Sequence, residues 1–328
     1  MSGPDRGLSP AGELGGVRPP AHRGPSLSHL RGSTWRGVFV RAAKAYRTDG
    51  CGDLAAGLTY RGLLSVFPAL IVVVALTGLV VSTDEAVDTL VGIVEDVAPA
   101  AVADAVAART REVASGRTAA GVLLSVGLLA SLWTASAYLR AFTRAANRIY
   151  GVREGRPAYR LVPQQLLVTL VGLVLTAVVL LGLVVSGPVA RALGDALGLG
   201  PTAVTVWNVL KWPVLVLLAA TLLSLLFLVA PNVRQPRFRW LAVGGGVALL
   251  TWIVVSLGFG LYLANFSSYD ATYGTLGAVI AFLVWMYLGN SAILFGVEVN
   301  AELARGRRIQ AGQPPAPGEP PLPPKVAG

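Results

Sequence analysis

The sequence contains few of the residues that build enzymatic sites or water-soluble surfaces. Its 328 residues include one cysteine, two histidines and only 13% charged residues. A soluble globular domain carries about a quarter charged residues, so this chain has too little polar surface to cover a water-soluble particle. The single cysteine, Cys51, excludes an intramolecular disulfide and is interpreted as a small buried or interfacial residue.

Motifs of enzymatic chemistry are missing as well. Both histidines, His22 and His29, lie near the N-terminus, and the patterns HExxH, CxxC, GxSxG and GxxxxGK[ST] do not occur. Metal-dependent hydrolases and nucleases need several convergent histidine or carboxylate ligands. The sequence therefore predicts a protein that is not an enzyme and that has no metal site and no cofactor.

Long apolar segments dominate the sequence instead. Apolar residues make up 54% of the chain, and the mean hydropathy is +0.64. The apolar blocks are about twenty residues long, which is the length that a helix needs to cross a bilayer. We therefore predict an all-α polytopic membrane protein with six transmembrane helices, at about residues 57–81, 118–138, 165–185, 204–229, 241–263 and 274–297.

The distribution of positive charge predicts the topology. Of the 27 Lys and Arg residues, 21 lie in the N-terminal segment, in the loops after the second and fourth predicted spans, and in the C-terminal tail. Cytoplasmic loops of membrane proteins carry such an excess, so both termini are predicted to lie in the cytoplasm of a bacterium, with the helices in its cytoplasmic membrane. The net charge of +10 then indicates anionic lipid headgroups as partners and not nucleic acid.

The chain divides into a membrane domain and two tails. Residues 1–32 and the proline-rich residues 306–328 are predicted to be disordered, and residues 33–305 to form the membrane domain. Residues 33–53 fit an amphipathic helix on the cytoplasmic surface, with an apolar face that consists of Trp35, Val38, Phe39, Ala42, Ala43 and Tyr46. Residues 84–116 carry seven acidic residues and are predicted to form amphipathic helices on the opposite side.

Two charged residues at membrane depth are candidates for function. Arg61, beside Tyr60 in the first predicted span, either reaches back to the cytoplasmic interface or faces a water-filled vestibule that attracts an anionic substrate. Glu298, at the end of the sixth span, either pairs with Arg305 or Arg234 or acts as a proton or substrate gate.

The sixth span carries a further pattern of small and polar residues. Trp285, Gly289, Ala292, Gly296 and Asn300 share one stripe, whose small members allow another helix to approach closely. At the other end, Tyr269, Asp270 and Tyr273 form an interfacial belt or cap a substrate path. Together with Tyr60, Arg61 and Glu298, we assign Asn300 and these three residues to a hypothetical transport path.

Prolines inside predicted spans interrupt helical hydrogen bonding. Pro68 in the first span and Pro213 in the fourth each remove a backbone donor. We interpret both as candidate hinges or helix breaks, although such positions are also tolerated for packing alone.

Four stretches resemble a known family. They are AAGLTYRGLLSVFPAL (55–70), LWTASAYLRAFTRAANRIYGV (132–152), LFLVAPNVRQPRFRW (226–240) and YDATYGTLGAVIAFLVWMYLGNSAILFGVEVNAEL (269–303). They are similar to the YihY/BrkB family of bacterial inner-membrane proteins, once labelled ribonuclease BN, although Arg61 stands where an uncharged residue is expected. The resemblance implies six helices and, in some relatives, a link to virulence, but no established activity.

Two functions remain open from the sequence. One is a transporter or lipid flippase-like protein of the cell envelope, acting on a small molecule or lipid that the sequence does not identify. The alternative is a membrane scaffold that organises the envelope without a transport cycle. Self-association is compatible with both, and ribonuclease activity is not expected because nuclease residues are missing.

Overall fold

The computed structural model of the protein is all-helical over the residues that it describes. These are residues 32–80, 117–184, 190–191, 194, 201–235, 238–265, 269–316 and 318–326. Seven helices lie in this part of the chain: α1 (Gly32–Thr48), α2 (Cys51–Val80), α3 (Arg117–Ile149), α4 (Ala158–Val184), α5 (Pro201–Val229), α6 (Phe238–Asn265) and α7 (Tyr269–Gln310). The predicted N-terminal tail and the acidic segment 84–116 lie outside the described residues.

Four of these helices are long and apolar enough to cross a membrane. The segments are Ala158–Val179, Thr202–Val229, Leu241–Ala264 and Gly277–Gln310, and only 11–22% of the residues in their most apolar windows are buried. Their apolar side chains therefore face outward, as lipid-facing side chains do. They correspond to the third to sixth predicted spans, whereas the two spans placed in α2 and α3 stay a prediction.

Helix α7 lies at the centre of the packing. It contacts α6 most extensively and also packs against α1, α2 and α3, while α4 joins α3 to α5. The largest core cluster contains Leu58 of α2, Phe142 of α3, Phe227 of α5 and Leu294 of α7. The rings of Phe142 and Phe227 stack with centroids 6.2 Å apart. Residues at the C-terminal end of α7 are therefore held by neighbours on several sides.

Glycines in the left-handed conformation terminate three of the helices. Gly50 (φ 67°) follows α1, Gly151 (φ 65°) follows α3 and Gly312 (φ 73°) follows α7. At the end of α3, the Val152 amide donates to the Asn147 carbonyl over 2.9 Å, which closes a Schellman-type turn. By contrast, α5 continues through Pro213 and α2 through Pro68 without an interruption of the helix. The proposed hinge role of these two prolines stays a prediction.

Helix α1 docks on α7 with the face that the sequence assigned to the membrane surface. Val38 and Ala42 are completely buried and pack against Val299 and Leu303 of α7. The predicted contact of this face with the membrane surface is therefore not what the structure shows, because α7 buries the same apolar side chains. Phe39 was predicted to share this face but remains 40% exposed, and Val40 is 63% exposed, so these two apolar side chains of α1 still point outward.

The proline-rich C-terminal segment packs against the loop that follows α5. Where disorder was predicted from residue 306, α7 continues to Gln310, and Pro324 forms an antiparallel bridge with Val233. The Asn232 side chain donates to the Val326 carbonyl over 2.8 Å. Asn232 is completely buried, so its amide needs such partners, and the tail supplies them.

The docked tail should respond to pH through Lys325. Its amine donates to the carbonyls of Leu228 and Pro231 at the end of α5, over 3.2 and 3.1 Å. Burial, and secondly the positive charge of Arg156, lower the pKa of Lys325 from 10.5 to about 8. The undocked tail therefore binds this proton more tightly, so docking should strengthen as pH rises from about 8 towards 10.5.

A nitroxide label at the exposed position 323 would measure this effect. In Pro323→Cys, with Cys51 buried and unreactive, we expect the immobilised fraction of the label to increase with pH over that window. Lys325→Met carrying the same label is the control and should show no pH dependence. An equal response in both proteins would contradict the role given to the Lys325 amine.

Candidate functional site

Glu298 is a carboxylate buried at the centre of the helix packing. It lies near the C-terminal end of α7, and only 1% of its surface is exposed. The thiol of Cys51, the first residue of α2, donates to the Glu298 carboxylate over 3.3 Å. Burial, and secondly the negative charge of Glu298, raise the pKa of the Cys51 thiol, which keeps it protonated as a donor.

Two further carboxylates lie beside Glu298. Glu302, one turn later on α7, forms ion pairs with Arg41 of α1 (2.6 Å) and Arg305 (3.0 Å). Asp49, in the turn between α1 and α2, lies close to Glu298, and burial raises the pKa of its carboxyl group. Glu302 thus has two cationic partners, whereas no ion pair to Glu298 is present among the described residues. Arg305, one of the two predicted ion-pair partners of Glu298, pairs with Glu302 instead.

A second polar group continues from Glu298 along the helices. Asn290 lies eight residues earlier on α7, about 12 Å along its axis. Its amide donates to the Thr59 hydroxyl of α2 over 3.1 Å, and its carbonyl oxygen accepts the Tyr138 hydroxyl of α3 over 2.7 Å. Ser131 lies two turns from Tyr138 on α3 and is 2% exposed, with no partner for its hydroxyl in the described part of the chain.

These residues form two polar groups between α2, α3 and α7, about 12 Å apart, with the buried apolar side chains of Ala55 and Leu294 at the turn between them. We call Glu298, Cys51, Asn290, Thr59 and Tyr138 the polar line. The surrounding side chains are apolar, and a buried polar group is stable there only with hydrogen-bond partners. The arrangement can hold and exchange protons at Glu298, or accept a polar group of a substrate when the helices separate.

The residues of the hypothetical transport path do not come together as one site. Tyr60 is 63% exposed on the outer surface of α2, and Arg61 is partly buried beside it. Arg61 is ten residues from Cys51, or about 15 Å along α2 from the Glu298 contact. Asn300 points to α6, where its carbonyl oxygen accepts the Gly244 amide over 3.0 Å. Asn300 therefore joins two helices and does not line the path with Glu298.

The outer members of that path can be placed only by their backbone. Tyr269, Asp270 and Tyr273 form the first turns of α7, and their side chains lie outside the described residues. Tyr273 is 25 residues from Glu298, about 37 Å along the helix. The two groups of residues therefore lie at opposite ends of α7.

The Asn290 group of the polar line was not predicted from the sequence. Asn290, Thr59 and Tyr138 were not singled out, and Cys51 was interpreted only as a small buried or interfacial residue. One signal was available, because an asparagine within an apolar membrane helix needs a partner on another helix. In the part of the chain that the structure describes, no group of three His, Cys, Asp or Glu residues could hold a metal ion.

Comparisons with known proteins extend over most of the chain. The family model "Virulence factor BrkB" matches residues 42–321. The chain is 34% identical over 262 residues to YfkH of Bacillus subtilis (strain 168), which is named as ribonuclease-like, covering 79% of this chain and 92% of YfkH. No solved structure matches.

Other relatives are named only as membrane proteins. The chain is 32% identical over 272 residues to a UPF0761 membrane protein of Rhodospirillum centenum (83% of this chain, 58% of the relative). A UPF0761 membrane protein of Alkalilimnicola ehrlichii is 29% identical over 299 residues (84% and 61%). The chain thus spans about six tenths of the length of these two relatives. The family resemblance inferred from the four sequence stretches is confirmed.

Proposed function

Since the chain belongs to the virulence factor BrkB family of integral membrane proteins, we propose that it is a transporter or lipid flippase-like protein of the bacterial cytoplasmic membrane. One observation carries the proposal: a carboxylate, Glu298, is buried within an apolar helix packing, and a second buried polar group, around Asn290, lies about 12 Å further along the same helices. Under this proposal the chain moves its substrate and catalyses no covalent reaction.

The energetic cost of the polar line supports a functional role. A buried carboxylate loses hydration that the Cys51 thiol and the neighbouring Asp49 carboxyl replace only in part. An apolar side chain of similar size at position 298 would pack with α2 at no such cost, since replacing buried polar groups by apolar ones is often neutral or stabilising. Ionisable residues in membrane helices mark substrate and proton pathways by default.

The positions of charge suggest how a substrate would enter. With both termini in the cytoplasm and six spans, the Glu298 end of α7 lies at the cytoplasmic side, where most of the positive charge of the chain is found. An anionic headgroup or solute would be attracted to this side. Protonation of Glu298 would then remove its negative charge and allow an anion to pass close to it.

A scaffold is the second candidate function, favoured by the tight connection of the loops at the Glu298 end. Arg156 donates to the carbonyls of Val229 and Ala230, over 3.1 and 2.7 Å, while it also pairs with Glu154. The side-chain oxygen of Asn147 accepts a hydrogen bond from the backbone N–H of Asn232 over 2.7 Å. A surface held together by such contacts is suited to present a fixed shape to a protein partner.

Reconstitution of the purified full chain into liposomes tests the two candidates. Movement of fluorescent phospholipids between leaflets is measured by chemical quenching of the outer leaflet, and uptake of anionic solutes is measured in parallel. Activity above that of protein-free liposomes supports transport. If folded protein is inactive in both assays, the transport proposal is wrong and the scaffold is retained.

A further inference from the structure

One exposed face of α3 changes from apolar to strongly basic along its length. Leu129 and Trp133 are 69% and 75% exposed. Arg140, Arg144 and Arg148 follow on the same face, one turn apart, and are exposed as well. Residues at intervals of three, four or seven share a helix face, so these side chains form one continuous stripe.

The packing of α2 against α3 brings Arg61 to this stripe. A Cβ at Gly50 would lie 3.3 Å from the Arg148 guanidinium, and a Cβ at Gly62 would lie 3.7 Å from the Tyr138 ring. Gly50 therefore lies beside Arg148, and Gly62 lies beside Tyr138, which sets an antiparallel register between α2 and α3. In that register Arg61 lies level with Arg140 and about one turn from Arg144.

The three guanidinium groups repel one another and have no acidic partner in the part of the chain that the structure describes. No ion pair or hydrogen bond to the side chains of Arg61, Arg140 or Arg144 is present within the described residues, whereas Arg148 has Asp49 in its neighbourhood. Partial burial, and then the charges of Arg61 and Arg140, lower the pKa of Arg144. An anion placed between them would relieve this repulsion.

The position of Arg61, Arg140 and Arg144 relative to the membrane surface indicates which anion they bind. Exposed tryptophans are typical of the membrane–water interface, and Trp133 lies two turns from Arg140 on the lipid-facing side of α3. The neighbouring face of α2 exposes Tyr60 and Leu64 (63% and 46%), which suit acyl chains and the glycerol region of a lipid.

We propose that Arg61, Arg140 and Arg144 form a binding site for the phosphate headgroup of an anionic phospholipid. Guanidinium groups bind phosphate oxygens through paired charge-assisted hydrogen bonds, and three of them can surround one headgroup. The exposed apolar side chains on both helices hold the lipid at the depth of the arginines. The site goes beyond the proposed function, since a lipid can be held there whether or not the protein moves it.

Association of spin-labelled lipids with the reconstituted full chain tests the site. The protein is placed in phosphatidylcholine vesicles containing spin-labelled phosphatidylglycerol or spin-labelled phosphatidylcholine, and the motionally restricted fraction of each is measured. We expect a preference for phosphatidylglycerol of about fivefold or more, because basic residues near the surface attract anionic lipids. Arg61→Gln/Arg140→Gln/Arg144→Gln should reduce the preference to near equality.

Two further variants separate a site from general charge and from damage to the fold. Arg36→Gln/Arg153→Gln/Arg234→Gln removes the same charge from exposed arginines on α1 and two loops and should keep the preference. Arg61→Lys/Arg140→Lys/Arg144→Lys retains the charge and should restore most of it. The proposal would be overturned if Arg36→Gln/Arg153→Gln/Arg234→Gln lost the phosphatidylglycerol preference to the same extent. It would also be overturned if Arg61→Gln/Arg140→Gln/Arg144→Gln kept the preference unchanged.

A competition experiment distinguishes a lipid headgroup from a free anion. Inorganic phosphate is added at constant ionic strength to the wild-type vesicles. Retention of the phosphatidylglycerol preference supports a lipid site, whereas its loss would assign the arginines to free phosphate and refute the lipid assignment. This experiment measures lipid binding and no lipid movement. Inactivity in the transport assays would therefore leave the lipid site standing, and loss of the phosphatidylglycerol preference would leave the transport proposal standing.

Discussion

Gly296→Leu is expected to prevent α6 and α7 from packing and to reduce the yield of folded protein severely. A Cβ at Gly296 would lie 2.7 Å from the Ala248 Cβ and in direct contact with the Gly244 backbone carbonyl. Backbone cannot move aside as a flexible side chain can, so the helices would have to separate. Overpacking costs about 1–3 kcal/mol in ordinary cores and more where backbone is involved.

Separation of the helices would also break other contacts along the same stripe. The side chain of Asn300 would lose its hydrogen bond from the Gly244 backbone N–H. The packing of the Trp252 and Trp285 rings, whose centroids are 5.7 Å apart, would also be disturbed. Total stabilities of proteins are only about 5–15 kcal/mol, so the combined loss is a large part of the whole.

Gly246→Leu is the matched control for this experiment. Gly246 lies on the exposed side of the same helix, α6, and a Cβ there meets nothing within 4 Å. We expect its yield of monodisperse protein after detergent extraction, and its thermal midpoint by size-exclusion chromatography, to match wild type. A Gly296→Leu protein as stable as this control would show that α6 and α7 do not pack as closely as described.

Glu298→Gln is expected to abolish transport while the protein inserts and folds normally. Glutamine has nearly the same shape, and its side-chain oxygen can still accept the Cys51 thiol, so the packing is retained. The ability to gain and lose a proton at the buried carboxylate is removed. Arg61→Gln is expected to have the same effect if Arg61 attracts the substrate at the entrance.

The liposome assays described above measure both variants beside two controls. Asp53→Asn and Arg36→Gln remove the same charges at exposed positions of α2 and α1, and should retain the activity of wild type. Full activity in both Glu298→Gln and Arg61→Gln would refute the transport roles given to these two residues. A loss of folded protein in Glu298→Gln would instead assign the carboxylate to stability.

Much of the membrane character was predictable from local sequence. Apolar segments of about twenty residues identified the four helices that are long and apolar enough to cross a membrane, because bilayer thickness sets the length of a spanning helix. The small residues of the sixth span correctly indicated a close helix contact, which α6 provides at Gly289 and Gly296. Both signals are periodic or compositional, and so they are visible without knowledge of the partners.

Contacts between distant segments were not predictable in the same way. Disorder was expected from residue 306 because a proline-rich composition suggests it, yet Val233 and Asn232, some ninety residues earlier, supply partners for Pro324 and Val326. Similarly, the apolar face of α1 could be satisfied by lipid or by another helix, and amphipathicity alone does not distinguish the two. Only the position of α7 decides between them.

The sequence by itself determined the class of the protein, its family, its apolar helices and its excess of positive charge, since each depends on composition, length or local pattern. The tertiary structure decided which polar residues meet: it joined Glu298 to Cys51 and Asn290 to Thr59 and Tyr138, and it turned Tyr60 outward and Asn300 towards α6. The reason is physical, because burial and hydrogen bonding of a side chain depend on the rotation of its helix against neighbours that are distant in sequence.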